Sequence, residues 1–169
     1  MATEAVRTAT VTRMAPEEAE AVSRVIELVV SGLRYYNDIA KKSEIEKYSA
    51  KLLRESIVND PDSVLVARAD GKAVGFCISR YDDSLIWLSW FGVHPEYRRN
   101  RLATAILDAF EESVRNGRSH KIWCDCRTEN TPSKVILAAR GYLPLCTIRN
   151  HWYGQDFILW EKLVGCGFV

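Results

Sequence analysis

The stretch from Val93 to Ala103 constrains the fold of this chain more than any other. Just before it, Trp87 to Val93 is a run of aromatic and branched residues too short for an ordinary helix, which predicts a buried strand. After it, apolar residues recur at three- and four-residue spacing as far as Val114, and Gly117 then suits the end of a helix. We therefore predict a strand, a tight turn and a helix in direct succession.

This turn is also a predicted anion site. The first N–H groups of a helix have no intrahelical acceptor, and the positive end of the helix dipole lies beside them. Arg98, Arg99 and Arg101 surround that point. A phosphate group is the anion that we expect there. Arginines on an ordinary solvated surface are the alternative interpretation.

Length, composition and charge narrow the class of protein. With 169 residues, an apolar fraction of 47% and a charged fraction of 27%, the chain predicts one soluble globular domain over residues 1–169. The net charge of +1 gives no general attraction for nucleic acid or for an anionic membrane. No apolar run reaches the ~18 residues of a membrane span and the N-terminus lacks a signal-peptide pattern, so we expect a cytoplasmic protein.

The cysteines do not predict a disulfide framework or a metal site. There are five, an odd number, and we expect reduced and mostly buried thiols. Cys124 and Cys126 form the one close pair, with no second pair or nearby histidine to complete four ligands. We therefore expect no bound metal.

The remaining periodicity predicts an ordered series of strands and helices. A strand over Val6 to Met14 precedes a helix that starts at Pro16, and a capping box of Ser43 and Glu46 opens a second helix that ends near Val58. Further strands are predicted over residues 64–69, 73–80, 85–93, 121–126, 142–148 and 157–164, and a helix over residues 131–141 with Thr131 as its cap. Residues 165–169 are predicted to be a frayed tail.

The turn motif resembles a known family. Val93-x-Pro95-x-x-Arg98-x-x-Arg101-x-Ala103 is similar to the acyl-CoA pyrophosphate loop of the GNAT N-acetyltransferase superfamily, whose signature is Q/R-x-x-G-x-G/A. Arg98 and Ala103 match the signature, whereas Arg101 replaces its first glycine. We expect a side chain at this position either to keep an ordinary helical conformation or to push the ligand away.

A second motif strengthens the resemblance. Asn130-x-x-Ser133-x-x-x-Leu137-x-x-x-Gly141-Tyr142 resembles N-x-x-A-x-x-x-Y-x-x-x-G-F of the same superfamily. The resemblance covers residues 63–164 and implies an α/β (α+β) fold with a mixed central sheet of about seven strands. The implied order is β-α-α-β-β-β-α-β-α-β-β, which agrees with the order predicted from the periodicity.

The resemblance implies transfer of an acetyl group from acetyl-CoA to an amine. The implied cofactor-binding residues are Phe91, Gly92, Val93, Arg98, Arg99, Asn100, Arg101, Leu102, Ala103, Thr104, Asn130 and Ser133. For Asn130, a purely structural role as a helix cap is the alternative. The strands that carry Val93 and Asp125 are expected to splay apart, as they do in the superfamily. Homodimers are common in it, so a homodimer is one expected assembly.

Asp125 and Leu137 occupy the positions that, in the members acetylating ribosomal-protein N-termini, hold a carboxylate base and a tyrosine acid. Asp125 is therefore the candidate base, with an exposed structural carboxylate as the alternative, whereas Leu137 cannot donate a proton. Deprotonation at pH 7 costs roughly 4.6 kcal/mol for a lysine amine and roughly 1.1 kcal/mol for an α-amine. We therefore favour an α-amine or another small amine of low pKa as the acceptor.

Several aromatic residues are candidates for the acceptor-binding wall, and ordinary core packing is the alternative for each. They are Tyr35, Tyr36, Trp87, Trp152 and Tyr153. Neither His94 nor His151 is favoured as a base. His94 lies in the predicted phosphate-binding turn, residues 93–103, which we call the phosphate turn, and His151 has no evident partner. An acyl-CoA-binding sensor without turnover is the alternative function, suggested by Arg101 and Leu137.

Overall fold

A seven-stranded sheet flanked by helices forms the centre of the computed structural model, which describes residues 9–165, apart from the side chain of Arg118. The strands are β1 (Thr10–Arg13), β2 (Val64–Ala69), β3 (Lys72–Asp82), β4 (Leu85–Val93), β5 (Lys121–Arg127), β6 (Leu143–Ile148) and β7 (Phe157–Leu163). The α-helices are α1 (Ala19–Ser31), α2 (Asp38–Lys47), α3 (Ala50–Asn59), α4 (Leu102–Ser113) and α5 (Thr131–Ala139).

The strand order across the sheet is β1-β2-β3-β4-β5-β7-β6. All neighbouring pairs are antiparallel except β4 and β5, which are parallel. The helix α4 makes the connection between these two parallel strands, as a parallel crossover requires. The predicted mixed sheet of about seven strands is confirmed.

The N-terminal helices differ from the prediction. Two helices were expected before β2, whereas the structure has three, because α2 ends at Lys47 and α3 begins at Ala50. Ser43 and Glu46 lie inside α2 and do not cap it. The cap is Asn37, whose side-chain oxygen accepts a hydrogen bond of 2.8 Å from the Ala40 N–H.

Other predicted boundaries shift by small amounts. The described part of the first strand is Thr10–Arg13, and residues 6–8 of its predicted range lie outside the described residues. Asn130, not Thr131, caps α5. After α4, Val114–Arg118 is an irregular turn in which Asn116 and Gly117 have non-helical backbone, and Gly117 has φ +102°. The frayed tail was predicted over residues 165–169, of which 166–169 lie outside the described residues.

Two apolar clusters lie on opposite faces of the sheet, and β2 contributes to both. Val64 and Val66 face the cluster with α1 and α3, whereas Leu65 and Ala67 face the cluster with α4. This alternation follows from the two-residue period of a strand. Because both faces are covered by helices, β2 consists mainly of apolar residues.

The middle of the sheet opens between β4 and β5. These strands pair only from Ile86–Ile122 to Leu88–Cys124. At this point β4 also bulges away from β3, because Leu88 pairs with Ser79 while Trp90 pairs with Ile78, and Ser89 is left as the extra residue. A bulge bends a strand and redirects its side chains. The result is the splay that the resemblance implies, with residues 89–93 on one side and Asp125 on the other.

Among the described residues, no helix is long and apolar enough to cross a membrane, and no group of three or more His, Cys, Asp or Glu side chains is placed to hold a metal ion. Cys77, Cys124 and Cys126 are buried, and Cys146 is exposed. The fifth cysteine, Cys166, lies outside the described residues.

Candidate active site

The phosphate turn has the backbone form of an anion site. After β4, a short 3-10 helix over Pro95–Tyr97 leads to Arg101, which is the N-terminal cap of α4. The first hydrogen bond of the helix runs from the Ala105 N–H to the Arg101 carbonyl at 3.0 Å. The earlier N–H groups of α4 therefore have no intrahelical acceptor and remain available to a ligand.

Arg101 adopts the left-handed conformation with φ +58°, and Arg99 does so with φ +68°. We expected Arg101 either to keep an ordinary helical conformation or to push the ligand away. The first of these alternatives is wrong. The backbone has the conformation that glycine adopts readily, although an arginine occupies the position. The turn thus keeps the backbone shape that the signature glycine would favour.

A cavity of about 600 Å³ adjoins this turn. Of the predicted cofactor-binding residues, those that line it are Phe91, Gly92, Val93, Arg98, Arg99, Arg101, Leu102, Ala103, Asn130 and Ser133. Asn100 and Thr104 are exposed and do not line it. Its lining contains four arginines, the fourth being Arg34, and no carboxylate. This charge pattern fits a diphosphate ligand.

A second cavity, of about 910 Å³, lies where β4 and β5 diverge. The predicted acceptor residues Tyr36, Trp87, Trp152 and Tyr153 line it, as does Asp125. Tyr35 lines the smaller cavity instead. Both cavities share a set of lining residues, namely Trp90, Phe91, Asn130 and Ser133. The two cavities therefore meet at the opening in the sheet.

Asp125 is partly buried at this opening, not fully exposed as in the alternative interpretation. Its Oδ2 accepts a hydrogen bond of 3.0 Å from Trp152 Nε1. Burial raises the pKa of Asp125; the Trp152 hydrogen bond and His151 oppose this shift, and the charge on Glu44 adds to it. A carboxylate with a raised pKa is a stronger base than an ordinary aspartate.

Position 137, where related enzymes have a tyrosine acid, is a core leucine in this chain. Leu137 is 1% exposed and belongs to the core. Tyr142 lines neither cavity, and its buried hydroxyl has no hydrogen-bond partner among the described residues. Tyr153 lines the larger cavity, and its hydroxyl donates to Glu44 Oε1 at 2.7 Å. Tyr153 thus places a hydrogen-bonded hydroxyl group on that cavity wall.

His94 and His151 make contacts that stabilise the local structure. His94 accepts a 3.3 Å hydrogen bond from the Glu96 N–H at the start of the short 3-10 helix. His151 packs on Trp152, with ring centroids 4.4 Å apart. Neither lines either of the two cavities.

Comparison with known proteins identifies the family. The sequence profile described as Acetyltransferase (GNAT) family matches residues 32–142, which is more than half of the chain. The chain belongs to the GNAT acetyltransferase family. The matched range contains the phosphate turn and the helix cap Asn130, and it ends at Tyr142, before β6 and β7.

Individual relatives of this GNAT protein are distant. An acetyltransferase of Sodalis glossinidius (strain morsitans) is 32% identical over 62 residues, which cover 37% of this chain and 44% of the relative. The chain therefore spans less than half the length of the curated relatives it matches.

Solved structures share the fold over nearly the whole chain. A PaiA N-acetyltransferase from Thermoplasma acidophilum, solved in complex with coenzyme A, is 21% identical with a TM-score of 0.78, covering 92% of this chain and 99% of that one. The ribosomal-protein-S18-alanine N-acetyltransferase from Escherichia coli is 16% identical with a TM-score of 0.73, covering 95% and 97% respectively. The GNAT fold predicted from the two motifs is confirmed.

The sequence reasoning missed Glu44, a charged residue on the wall of the larger cavity of this GNAT protein. Glu44 is 6% exposed and lies on α2. A signal for it was available, because Ala40, Glu44 and Tyr48 recur at four-residue spacing and all three are buried. A carboxylate on the buried stripe of a helix is unusual and indicates a function or a partner.

Arg127, at the end of β5, was also missed. Its guanidinium lies between the rings of Tyr36 and Phe157, at 4.9 and 5.4 Å from the ring centroids. It donates hydrogen bonds to the Tyr35 carbonyl and to the Gln155 side chain. Arg127 therefore fixes the loop between α1 and α2 against the sheet. Its position in the sequence carried no sign of this role.

Asn130 has the structural role that was its alternative. Its side-chain oxygen accepts a 3.2 Å hydrogen bond from the Ser133 N–H at the start of α5. The same residue lines both cavities, so the cap also fixes its amide at the opening in the sheet. Its role in ligand binding stays a prediction.

Proposed function

We propose that this protein transfers an acetyl group from acetyl-CoA to the amine of a small molecule or of a peptide N-terminus. The observation that carries the proposal is the meeting of two cavities at the opening between β4 and β5. The smaller cavity has four arginines and no carboxylate, whereas the larger one contains Asp125. One side suits a diphosphate, and the other suits an amine that must lose a proton.

The phosphate turn and the cap of α5 are the residues that would hold acetyl-CoA. The N–H groups at the start of α4 and the guanidinium groups of Arg98, Arg99 and Arg101 would bind its diphosphate. Backbone groups of Phe91 and Val93 and the amide of Asn130 lie at the opening, where the pantetheine arm would pass. When bound, the cofactor supplies an acetyl group as a thioester. The PaiA relative solved with coenzyme A supports this assignment.

Asp125 is the residue that we assign as the base. It accepts a proton from the acceptor ammonium, directly or through a water molecule, and leaves a neutral amine. The transfer then forms an amide C–N bond and breaks the C–S bond, and the second amine proton goes to the thiolate. An unperturbed thiol has a pKa of about 8.5, so the leaving group needs little help from an acid.

The favoured acceptor is an amine of lowered pKa. At pH 7, an α-amine costs about 1.1 kcal/mol to deprotonate, against about 4.6 kcal/mol for a lysine side chain. A site in which one carboxylate is assigned as the base, with no tyrosine at position 137, meets the smaller requirement more easily. The printed name of the Escherichia coli relative refers to an alanine of ribosomal protein S18, which is consistent with an α-amine acceptor in one protein of this fold.

A thiol-release assay with acetyl-CoA and a panel of amines tests this function, beside calorimetry of acetyl-CoA binding. We expect Asp125→Asn to lower kcat/KM by about 100-fold and to remove the acidic limb of the pH profile, while acetyl-CoA binding stays unchanged. The matched control is Asp83→Asn, because Asp83 is an exposed turn residue that lines neither cavity. An unchanged rate and pH profile in Asp125→Asn would contradict the assigned role.

The alternative function is an acyl-CoA-binding sensor without turnover, and the burial of Leu137 at the usual acid position favours it. Binding of acetyl-CoA with no thiol release on any amine would support this alternative. If the protein neither binds acetyl-CoA nor releases thiol, both proposed functions are contradicted.

A further inference from the structure

Glu44 is a buried carboxylate that the proposed reaction does not use. Its Oε2 accepts a hydrogen bond of 2.8 Å from Trp90 Nε1, and its Oε1 accepts one of 2.7 Å from the Tyr153 hydroxyl. Both donors are neutral. No lysine or arginine nitrogen among the described side chains forms an ion pair with it.

An ionised carboxylate at this depth is costly unless a cation pairs with it. Glu44 is 6% exposed, yet it lines the larger cavity. Three cationic residues line that cavity, namely Lys47, Arg80 and Arg127. Lys47 and Arg80 are exposed, and Arg80 pairs with Asp82. Arg127 is buried, but its guanidinium lies between the Tyr36 and Phe157 rings and donates to the Tyr35 carbonyl and to Gln155, and it forms no ion pair with Glu44. The missing cation is therefore expected in the cavity itself, as part of a ligand.

The two carboxylates, Glu44 and Asp125, are held by adjacent residues. Trp152 donates to Asp125, and Tyr153 donates to Glu44. A second hydrogen bond, of 3.1 Å from Asn37 Nδ2 to the Tyr153 carbonyl, connects residues 152–154 to the cap of α2. The cavity is thus bounded on this side by a continuous contact between α2 and residues 152–154.

Aromatic rings line the same cavity as the two carboxylates. The Tyr36 and Trp90 rings lie with centroids 5.7 Å apart, and both line the larger cavity together with Trp152. Aromatic faces attract alkylammonium groups and also pack against methylene chains. A slender aliphatic chain with a cationic group at each end fits these surroundings better than a neutral or anionic acceptor.

The two carboxylates cannot have the same role toward one acceptor. The reacting amine has to lose a proton, and Asp125, beside the opening to the smaller cavity, is placed to receive it. A cation held permanently by Glu44 must stay protonated, so it belongs to a second group. A second ammonium also lowers the pKa of the first by like-charge repulsion, which eases deprotonation of the reacting amine.

We propose that the acceptor is a small aliphatic diamine or polyamine, with its reacting amine at Asp125 and its second ammonium bound by Glu44. This inference rests on the proposed acetyltransferase function. Glu44 is then the residue that determines specificity, and Trp90 and Tyr153 are the residues that position its carboxylate.

The test compares putrescine with n-butylamine, which has the same four-carbon chain but only one amine. We expect kcat/KM for putrescine to exceed that for n-butylamine by roughly tenfold or more, since a hydrogen bond to a charged group contributes at that level. In Glu44→Gln the ratio should fall to about one, with the loss appearing mainly as a higher KM for putrescine.

Glu46→Gln is the matched control, because Glu46 lies on the same helix, is exposed and lines neither cavity. Its putrescine preference should equal that of the unmodified protein. Calorimetry of putrescine binding to the protein saturated with coenzyme A gives a readout without turnover, and Glu44→Gln should weaken this binding about tenfold.

The outcomes separate this inference from the proposed function. Thiol release with equal kcat/KM for the two amines would overturn the inference and leave the acetyltransferase standing. Equal loss of activity toward both amines in Glu44→Gln would also overturn it, because Glu44 would then act in catalysis and not in selection. No thiol release on any amine would contradict the proposed function instead.

Discussion

At the scale of single residues, Arg101 combines two opposing requirements. Its φ of +58° places a side chain in the left-handed region, which costs roughly 1–2 kcal/mol relative to an ordinary conformation. The same residue adds a positive charge where the N–H groups of α4 point. The protein thus keeps a charge beside the phosphate position at the expense of some backbone strain.

A pair of substitutions separates the strain from the charge. Arg101→Ala and Arg101→Gly both remove the guanidinium, but only glycine relieves the left-handed strain. We expect Arg101→Gly to be more stable to urea unfolding than Arg101→Ala by about 0.5–1 kcal/mol, after allowance for the extra freedom of glycine in the unfolded chain. Both variants should bind acetyl-CoA more weakly than the unmodified protein. A Gly variant no more stable than the Ala variant would show that this conformation carries no strain.

At the scale of helices and strands, a buried ionic cluster joins three elements behind the active site. Glu111 of α4 is 1% exposed and accepts hydrogen bonds of 2.9 Å from Arg140, after α5, and 2.7 Å from Lys162 of β7. Burial opposes ionisation of Glu111, but Arg140 and Lys162 together outweigh it, so the pKa of Glu111 is lowered. The cluster fixes α4, whose first turn is the proposed phosphate site, against the sheet.

The cluster should make stability depend on pH. The pKa of Glu111 is lower in the folded state than in the unfolded state. The ionised side chain therefore contributes fully to the unfolding free energy above its unfolded-state pKa of about 4.3, and this contribution is lost as the pH falls through its folded-state pKa. We expect Glu111→Gln to lose about 3 kcal/mol of unfolding free energy near neutral pH, since it leaves the partly buried Lys162 without its carboxylate and removes one of the two carboxylates that pair with Arg140. The difference from the unmodified protein should shrink at about pH 3.5, as measured by urea unfolding.

Glu112→Gln is the control for that experiment. Glu112 is the next residue, its side chain is 70% exposed, and its nearest cation, on Arg115, is 4.0 Å away. Its substitution should change the unfolding free energy by less than about 0.5 kcal/mol at either pH. A similar loss in both glutamine variants would mean that the buried cluster has no special role.

Elements that depend on local signals were predictable from the sequence. The successive strands over residues 64–69 and 73–80 and the helix end at Gly117 follow from residue types that act within a few positions. The break between α2 and α3 was missed because the apolar spacing continues across it. Glu44 and Arg127 were missed because their partners, Tyr153 and Tyr35, are 109 and 92 residues away in the chain. Periodicity does not report contacts of that kind.

At the scale of the whole molecule, the opening between β4 and β5 leaves the centre of the sheet incomplete. Only three residue pairs join the two halves there, from Ile86–Ile122 to Leu88–Cys124. A ligand that binds both halves is expected to stabilise the folded protein, because it has no comparable site on the unfolded chain.

We expect coenzyme A at about 100 times its Kd to add about 2.7 kcal/mol to the unfolding free energy and to raise Tm by about 5–10 °C. Differential scanning fluorimetry measures this shift. Pantetheine lacks the diphosphate and should produce a smaller shift in Tm at the same concentration. An equal shift with both ligands would contradict the role of the arginine-rich turn.

Trp90, Phe91, Asn130 and Ser133 belong to the walls of both cavities. Occupancy on one side therefore alters the surface that the other ligand meets. If bound coenzyme A changes the affinity for the amine by some factor, thermodynamic linkage requires that the bound amine changes the affinity for coenzyme A by the same factor. Substitution of any of these four residues is therefore expected to change the size of this coupling.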